Sequence, residues 1–125
     1  MKKETTPLRL IYPQWQGGIV DHWMPDIPAE DPSRGYYLGA QLLNLLAPDS
    51  NQKTVEVPVS LDINDRATEK GINSRNVIVK QSKAALDILN ENKPDRIIIL
   101  GGECSVSVVP FTYLAARYPN DVAIV

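Results

Sequence analysis

Apolar positions along this chain alternate between two rhythms, one of strands and one of helices. Residues 8–12 (Leu-Arg-Leu-Ile-Tyr) form a short apolar run that Pro13 stops, which predicts a first strand. Leu38, Leu42, Leu45 and Leu46 then fall at i, i+4, i+7 and i+8, an apolar stripe on one face of a helix over residues 34–47. Ser33 is the expected cap of that helix, and Pro48-Asp49-Ser50-Asn51 supplies the turn that ends it. Val55, Val57 and Val59 alternate, which predicts a strand over residues 54–59, and Pro58 suits a sheet edge. A second helix is expected from Ser74 to about residue 92, with Val77, Ile78, Ala84, Ala85, Ile88 and Leu89 on its buried face. Residues 97–100 (Ile-Ile-Ile-Leu) are apolar without alternation, the pattern of a parallel strand buried on both faces. Gly101 and Gly102 break that strand. Glu103, Cys104 and Ser105 open a third helix reaching to about residue 117, with Val106, Val109, Tyr113 and Leu114 inward. Pro110 fits that helix only as a kink or as part of a first turn that begins later. Residues 121–125 (Asp-Val-Ala-Ile-Val) read as the start of a further buried strand.

Strands alternating with helices predict an α/β fold with a mostly parallel sheet. In such sheets ligands bind outside the carboxyl ends of the strands, which singles out Gly101, Gly102, Glu103, Cys104 and Ser105. The long segment after the first strand carries Trp15, Gln16, Gly17 and Gly18, a candidate rim of the same pocket. It also carries Trp23 and the only histidine, His22, and a single histidine is poor evidence for a metal. The plain alternatives are that the tryptophans pack the loop, the glycines allow a tight turn, and Cys104 acts as a small buried hydrophobe.

Composition narrows the choice. With 125 residues, 43% hydrophobic and 22% charged, the chain suits one modest globular domain. A net charge of -2 leaves no electrostatic footprint for nucleic acid, and no basic run suggests a membrane surface. The charged start, Met1-Lys2-Lys3, lacks the apolar stretch of a secretory signal. A single cysteine forms no internal disulfide, consistent with the reducing cytoplasm.

The segment Leu100-Gly101-Gly102-Glu103-Cys104-Ser105 resembles the Gly-Gly-Asp-His-Ser segment of the arginase, agmatinase and formiminoglutamase family of ureohydrolases. Residues 121–125 resemble that family's next strand, and Pro32-Ser33-Arg34-Gly35 its first helix start. Two departures stand out: Glu103 replaces Asp, and Cys104 replaces the ligand histidine, as in an arginase-like subgroup. The resemblance implies a three-layer αβα, arginase/deacetylase-like domain of which residues 1–125 are the amino-terminal part. It implies hydrolysis of linear C–N bonds in small guanidino or amidino compounds, and a homo-oligomer. It also implies two Mn2+ ions, with Cys104 at a ligand position and Glu103 in support. Such ions lower the pKa of bound water toward neutrality. Thiolate is softer than manganese prefers, so Cys104 leaves room for one ion, another metal or none. The missing catalytic residues would lie past Val125, so the fragment alone is expected to be inactive. Two rivals stay open. One is a cysteine-nucleophile amidohydrolase using Cys104, although Val106 stands where such elbows carry glycine. The other is a non-catalytic relative serving as an assembly module.

Overall fold

The computed structural model describes residues 4–49 and 51–125; Met1, Lys2 and Lys3 of the charged start and Ser50 of the helix-ending turn lie outside them. Three parallel strands make the sheet: β1 (Pro7–Ile11), β2 (Lys53–Glu56) and β3 (Arg96–Leu100). Their order is β2-β1-β3, so the first strand lies in the middle. Leu10 pairs with Val55 on one side and Ile99 on the other. Four helices accompany them: α1 (Val20–Trp23), α2 (Glu30–Leu46), α3 (Arg75–Asn92) and α4 (Val108–Arg117). The result is a small mixed α/β fold with a wholly parallel sheet among the described residues.

Alternation along β1 divides its side chains. Leu8, Leu10 and Tyr12 enter the core with Val57, Ala85 and Leu89, and with Val106, Val109 and Tyr113 from the α4 region. These residues place α3 and α4 over one set of β1 side chains. Arg9 alternates to the other set, where its guanidinium donates to the Pro48 carbonyl at 2.7 Å, just past the end of α2. Burial of the core side chains supplies roughly 1.5–3 kcal/mol for each large aliphatic residue.

Several expectations are corrected. β3 is not buried on both faces. It pairs only with β1 among the described residues, and Ile98 is 44% exposed. Residues 121–125 form no strand there: they have no ladder partner, and Val122 and Ile124 are exposed. Helix α2 begins at Glu30, ahead of Ser33, because Pro32 sits in a first turn that needs no N–H donor there. Ser33 is inside that turn, and its hydroxyl donates to the Glu30 carbonyl at 2.8 Å instead of capping the helix. The leucine stripe of α2 faces outward, with Leu45 and Leu46 largely exposed; the helix meets the sheet side through small Ala40. Ser74 does stand at the start of α3, but its side chain makes no capping bond. Pro110 falls in the first turn of α4, because a separate 3-10 turn, Cys104–Ser107, precedes that helix.

Candidate functional site

The carboxyl end of β3 is built by two glycines in conformations that side chains rarely adopt. Gly101 has φ +97° and Gly102 φ +86°. A Cβ on Gly102 would lie 2.5 Å from the Tyr12 carbonyl oxygen and 2.4 Å from Val106, so only glycine fits between β1 and the coming turn. Glu103 then caps the 3-10 turn: its carboxylate accepts the Ser105 N–H at 2.8 Å. That capped turn leaves Cys104 exposed with a free thiol.

Two openings flank the turn. One is a cavity of about 650 Å³ in which Gly17, Glu103, Cys104 and Ser105 face Ile72 and Asn73 of the loop before α3. The other is an apolar groove of about 590 Å³ where Gly101 and Gly102 meet Tyr36, Leu42 and Leu43 of α2. The turn therefore stands between the cavity that Cys104 lines and an apolar groove.

The residues expected at the rim divide. Gly17 lines the cavity beside Glu103, Cys104 and Ser105. A Cβ there would lie 2.7 Å from the Glu103 carboxylate, so a side chain at residue 17 would have to displace that carboxylate. Gly18 packs against the Tyr36 hydroxyl, 2.9 Å from where its Cβ would be. Trp15 and Gln16 are not at a rim; both are fully buried, and the Trp15 indole N–H donates to the Ser60 carbonyl at 2.8 Å. His22 sits apart from Cys104, in a pocket with Asp21 and Arg66.

A buried polar cluster behind the turn carries no sequence motif. Gln14, Gln16 and Gln81 are all nearly inaccessible and bond to one another. Gln14 Nε2 donates to Glu103 Oε1 at 2.7 Å and to the Ser105 hydroxyl at 2.6 Å. The Tyr12 hydroxyl donates to Gln14 Oε1 at 3.2 Å. One sequence signal did exist. Gln81 occupies the buried i+4 row of Val77, Ala85 and Leu89, where a polar side chain needs partners.

Charge near the turn shows in two phenols. Burial, and then the nearby Glu103 and Cys104 charges, push the Tyr36 phenol above its ordinary value. Burial pushes Tyr12 up as well; a hydrogen bond with Ser82 works against this, and Glu103 adds to it.

The donor set can be tested against the expected metal. Among the described residues no three His, Cys, Asp or Glu side chains come together as a cation site. Both Glu103 oxygens are occupied by donors from Gln14 and Ser105. Cys104 alone is free to ligate, so these residues do not by themselves hold a two-ion centre. No protein-family model matches this chain, and no curated protein matches it in sequence.

Proposed function

We propose that the chain is the amino-terminal part of an arginase-like domain, three-layered in the complete protein, that hydrolyses linear C–N bonds in guanidino or amidino compounds. The observation that carries this reading is the strand-end turn. Two left-handed glycines and a capping Glu103 present Cys104 to a cavity at the carboxyl end of a parallel strand. The order of strands and helices supports the same reading.

The reading assigns Cys104 to one ligand position and requires every other ligand from outside residues 4–125. Manganese would supply activated water when bound, but the described residues do not complete its site. A cytoplasmic homo-oligomer belongs to the same proposal. The exposed α2 leucines support assembly, and no helix among the described residues is long and apolar enough to cross a membrane.

A second reading, a non-catalytic assembly module, is favoured by the thiol at the ligand-histidine position together with the exposed α2 stripe. One experiment separates the two. The protein is expressed at the full length its gene encodes, its metal content is measured, and urea or ammonia release is followed on a panel of guanidino and amidino compounds. Bound metal with turnover supports the hydrolase. Metal-free protein with no turnover after manganese or zinc loading overturns it in favour of the assembly module.

A further inference from the structure

We propose that Gln14 and Gln81 are positioning residues for the Cys104 turn, acting through Glu103 by a hydrogen-bond relay that runs in one direction. The proposal rests on the reading of that turn as the working part of the site.

Backbone groups fix the direction at both ends. The Ser60 N–H donates to Gln81 Oε1 at 2.9 Å. A backbone N–H can only donate, so the Gln81 amide must turn its oxygen to Ser60 and its Nε2 inward. Gln81 Nε2 then donates to Gln14 Oε1 at 2.9 Å and to Gln16 Oε1 at 3.1 Å. Gln16 is oriented independently, because its Nε2 donates to the Ser60 carbonyl at 3.0 Å. With its oxygen taken by Gln81 and Tyr12, Gln14 must aim Nε2 at the turn, onto Glu103 Oε1 and the Ser105 hydroxyl. From the far side the Ser105 N–H donates to Glu103 Oε2. Position 103 therefore meets donors at both oxygens.

A relay oriented this way tolerates no single reversal. Among the described residues, no buried side-chain nitrogen or oxygen lacks a partner. Turning any one amide would set N–H against N–H, or oxygen against oxygen. Gly17 approaches the carboxylate closely on another side, where a Cβ would lie 2.7 Å from it. Backbone bonding repeats the link, since the Glu103 N–H donates to the Gln14 carbonyl at 3.0 Å. Cys104 lies between Glu103 and Ser105, both held by Gln14, so its backbone follows the relay. Glu103 is then a holder of the turn, not a ligand or a proton acceptor in a reaction.

The polarity makes a swap decisive. Glu103→Gln alone brings an amide N–H₂ against a donor. Gln14→Glu alone brings carboxylate against carboxylate. Together they restore every pairing once the Ser105 hydroxyl, which natively accepts from Gln14 and donates to Glu103 Oε1, turns to donate to position 14 and accept from position 103. The carboxylate at 14 also accepts from Gln81, Tyr12 and position 103, and the amide oxygen at 103 accepts the Ser105 N–H. Two readouts are taken on the full-length protein: the thermal midpoint and the rate at which iodoacetamide alkylates native Cys104, the only cysteine in residues 1–125. Any further cysteine in the full chain is distinguished by peptide mapping. Each single variant should lower the midpoint by several degrees and change the alkylation rate severalfold, and the double variant should recover more than half of both. Additive losses in the double variant, or a wild-type alkylation rate throughout, would overturn the relay. Gln81→Met keeps volume and removes the donor, and serves if the charged variants do not fold. It should change the Cys104 rate although residue 81 does not line the cavity; an unchanged rate overturns the proposal. Metal content and turnover of the wild-type protein are read separately, so the hydrolase reading can fail while the relay stands, and the reverse.

Discussion

The Ala40 methyl occupies the space that a side chain on Gly101 would need: a Cβ at residue 101 would lie 2.6 Å from the Ala40 Cβ. This contact brings α2 against the start of the site turn. It explains why α2, whose leucines face outward, approaches the sheet through one of its smallest residues. Gly101→Ala combines that collision with a φ of +97° that alanine resists. The left-handed backbone costs roughly 1–3 kcal/mol and the overpacking a similar amount. Chemical denaturation should show a loss of about 2 kcal/mol or more, with the slope of the transition unchanged.

Gly17 and Gly35 should respond in opposite directions. Gly17→Ala drives a methyl into the Glu103 carboxylate, so it should destabilise the protein and alter Cys104 alkylation together. Gly35 lies within α2 with nothing near its Cβ position. Gly35→Ala should therefore stabilise by about 0.5–1 kcal/mol, since alanine loses less freedom in a helix. A midpoint that falls for Gly35→Ala would show that α2 does not hold its helical form in solution.

The two tryptophans offer a contrast that fluorescence can read. Trp15 is 2% exposed and bonded to Ser60, with the Arg66 guanidinium 5.8 Å from its ring. Trp23 is 75% exposed. Acrylamide should quench Trp23 readily and Trp15 hardly at all. Trp15→Ala should cost about 3–5 kcal/mol, and Trp23→Ala should stay within about 0.5 kcal/mol of the parent. Equal quenching of both would contradict the packing of the loop after β1.

Much of this arrangement was legible from periodicity. The 8–12 run and the Val77–Leu89 stripe each gave a correct element, because local pattern decides local structure; the alternating valines gave a strand too, but it ends at Glu56, short of Val57 and Val59. The apolar run at 97–100 gave the strand but not its place. Periodicity reports how apolar a strand is, not how many neighbours it has. The α2 leucines misled for the same reason: the stripe has helical spacing, but in the described structure no element covers it. The turn at 101–105 was readable from its glycines. Its support was not, because Gln14 and Gln81 stand 67 positions apart and meet only through the fold. Trp15 and Gln16 read from the sequence as a pocket rim, since burial of an indole or an amide depends on partners that sequence spacing does not reveal.

Alkaline pH should unfold this protein through Tyr12. Its phenol is pushed above the ordinary tyrosine value, with burial as the largest cause, because the core disfavours the phenolate. In the unfolded chain the phenol loses its proton near pH 10, whereas in the native protein it keeps it to higher pH. The native state therefore binds more protons above that point, and stability must fall as pH rises. The contribution is fully present below about pH 10. It declines as pH climbs from the unfolded value toward the folded one. Tyr36 is raised in the same direction and adds to the slope. Denaturation measured from pH 8 to 11.5 should show a plateau followed by decline. Tyr12→Phe should start less stable, because Gln14 Oε1 loses one of its two donors, yet decline less steeply above pH 10. Parallel curves for the two proteins would mean that Tyr12 titrates normally and is not held in the core beside Gln14.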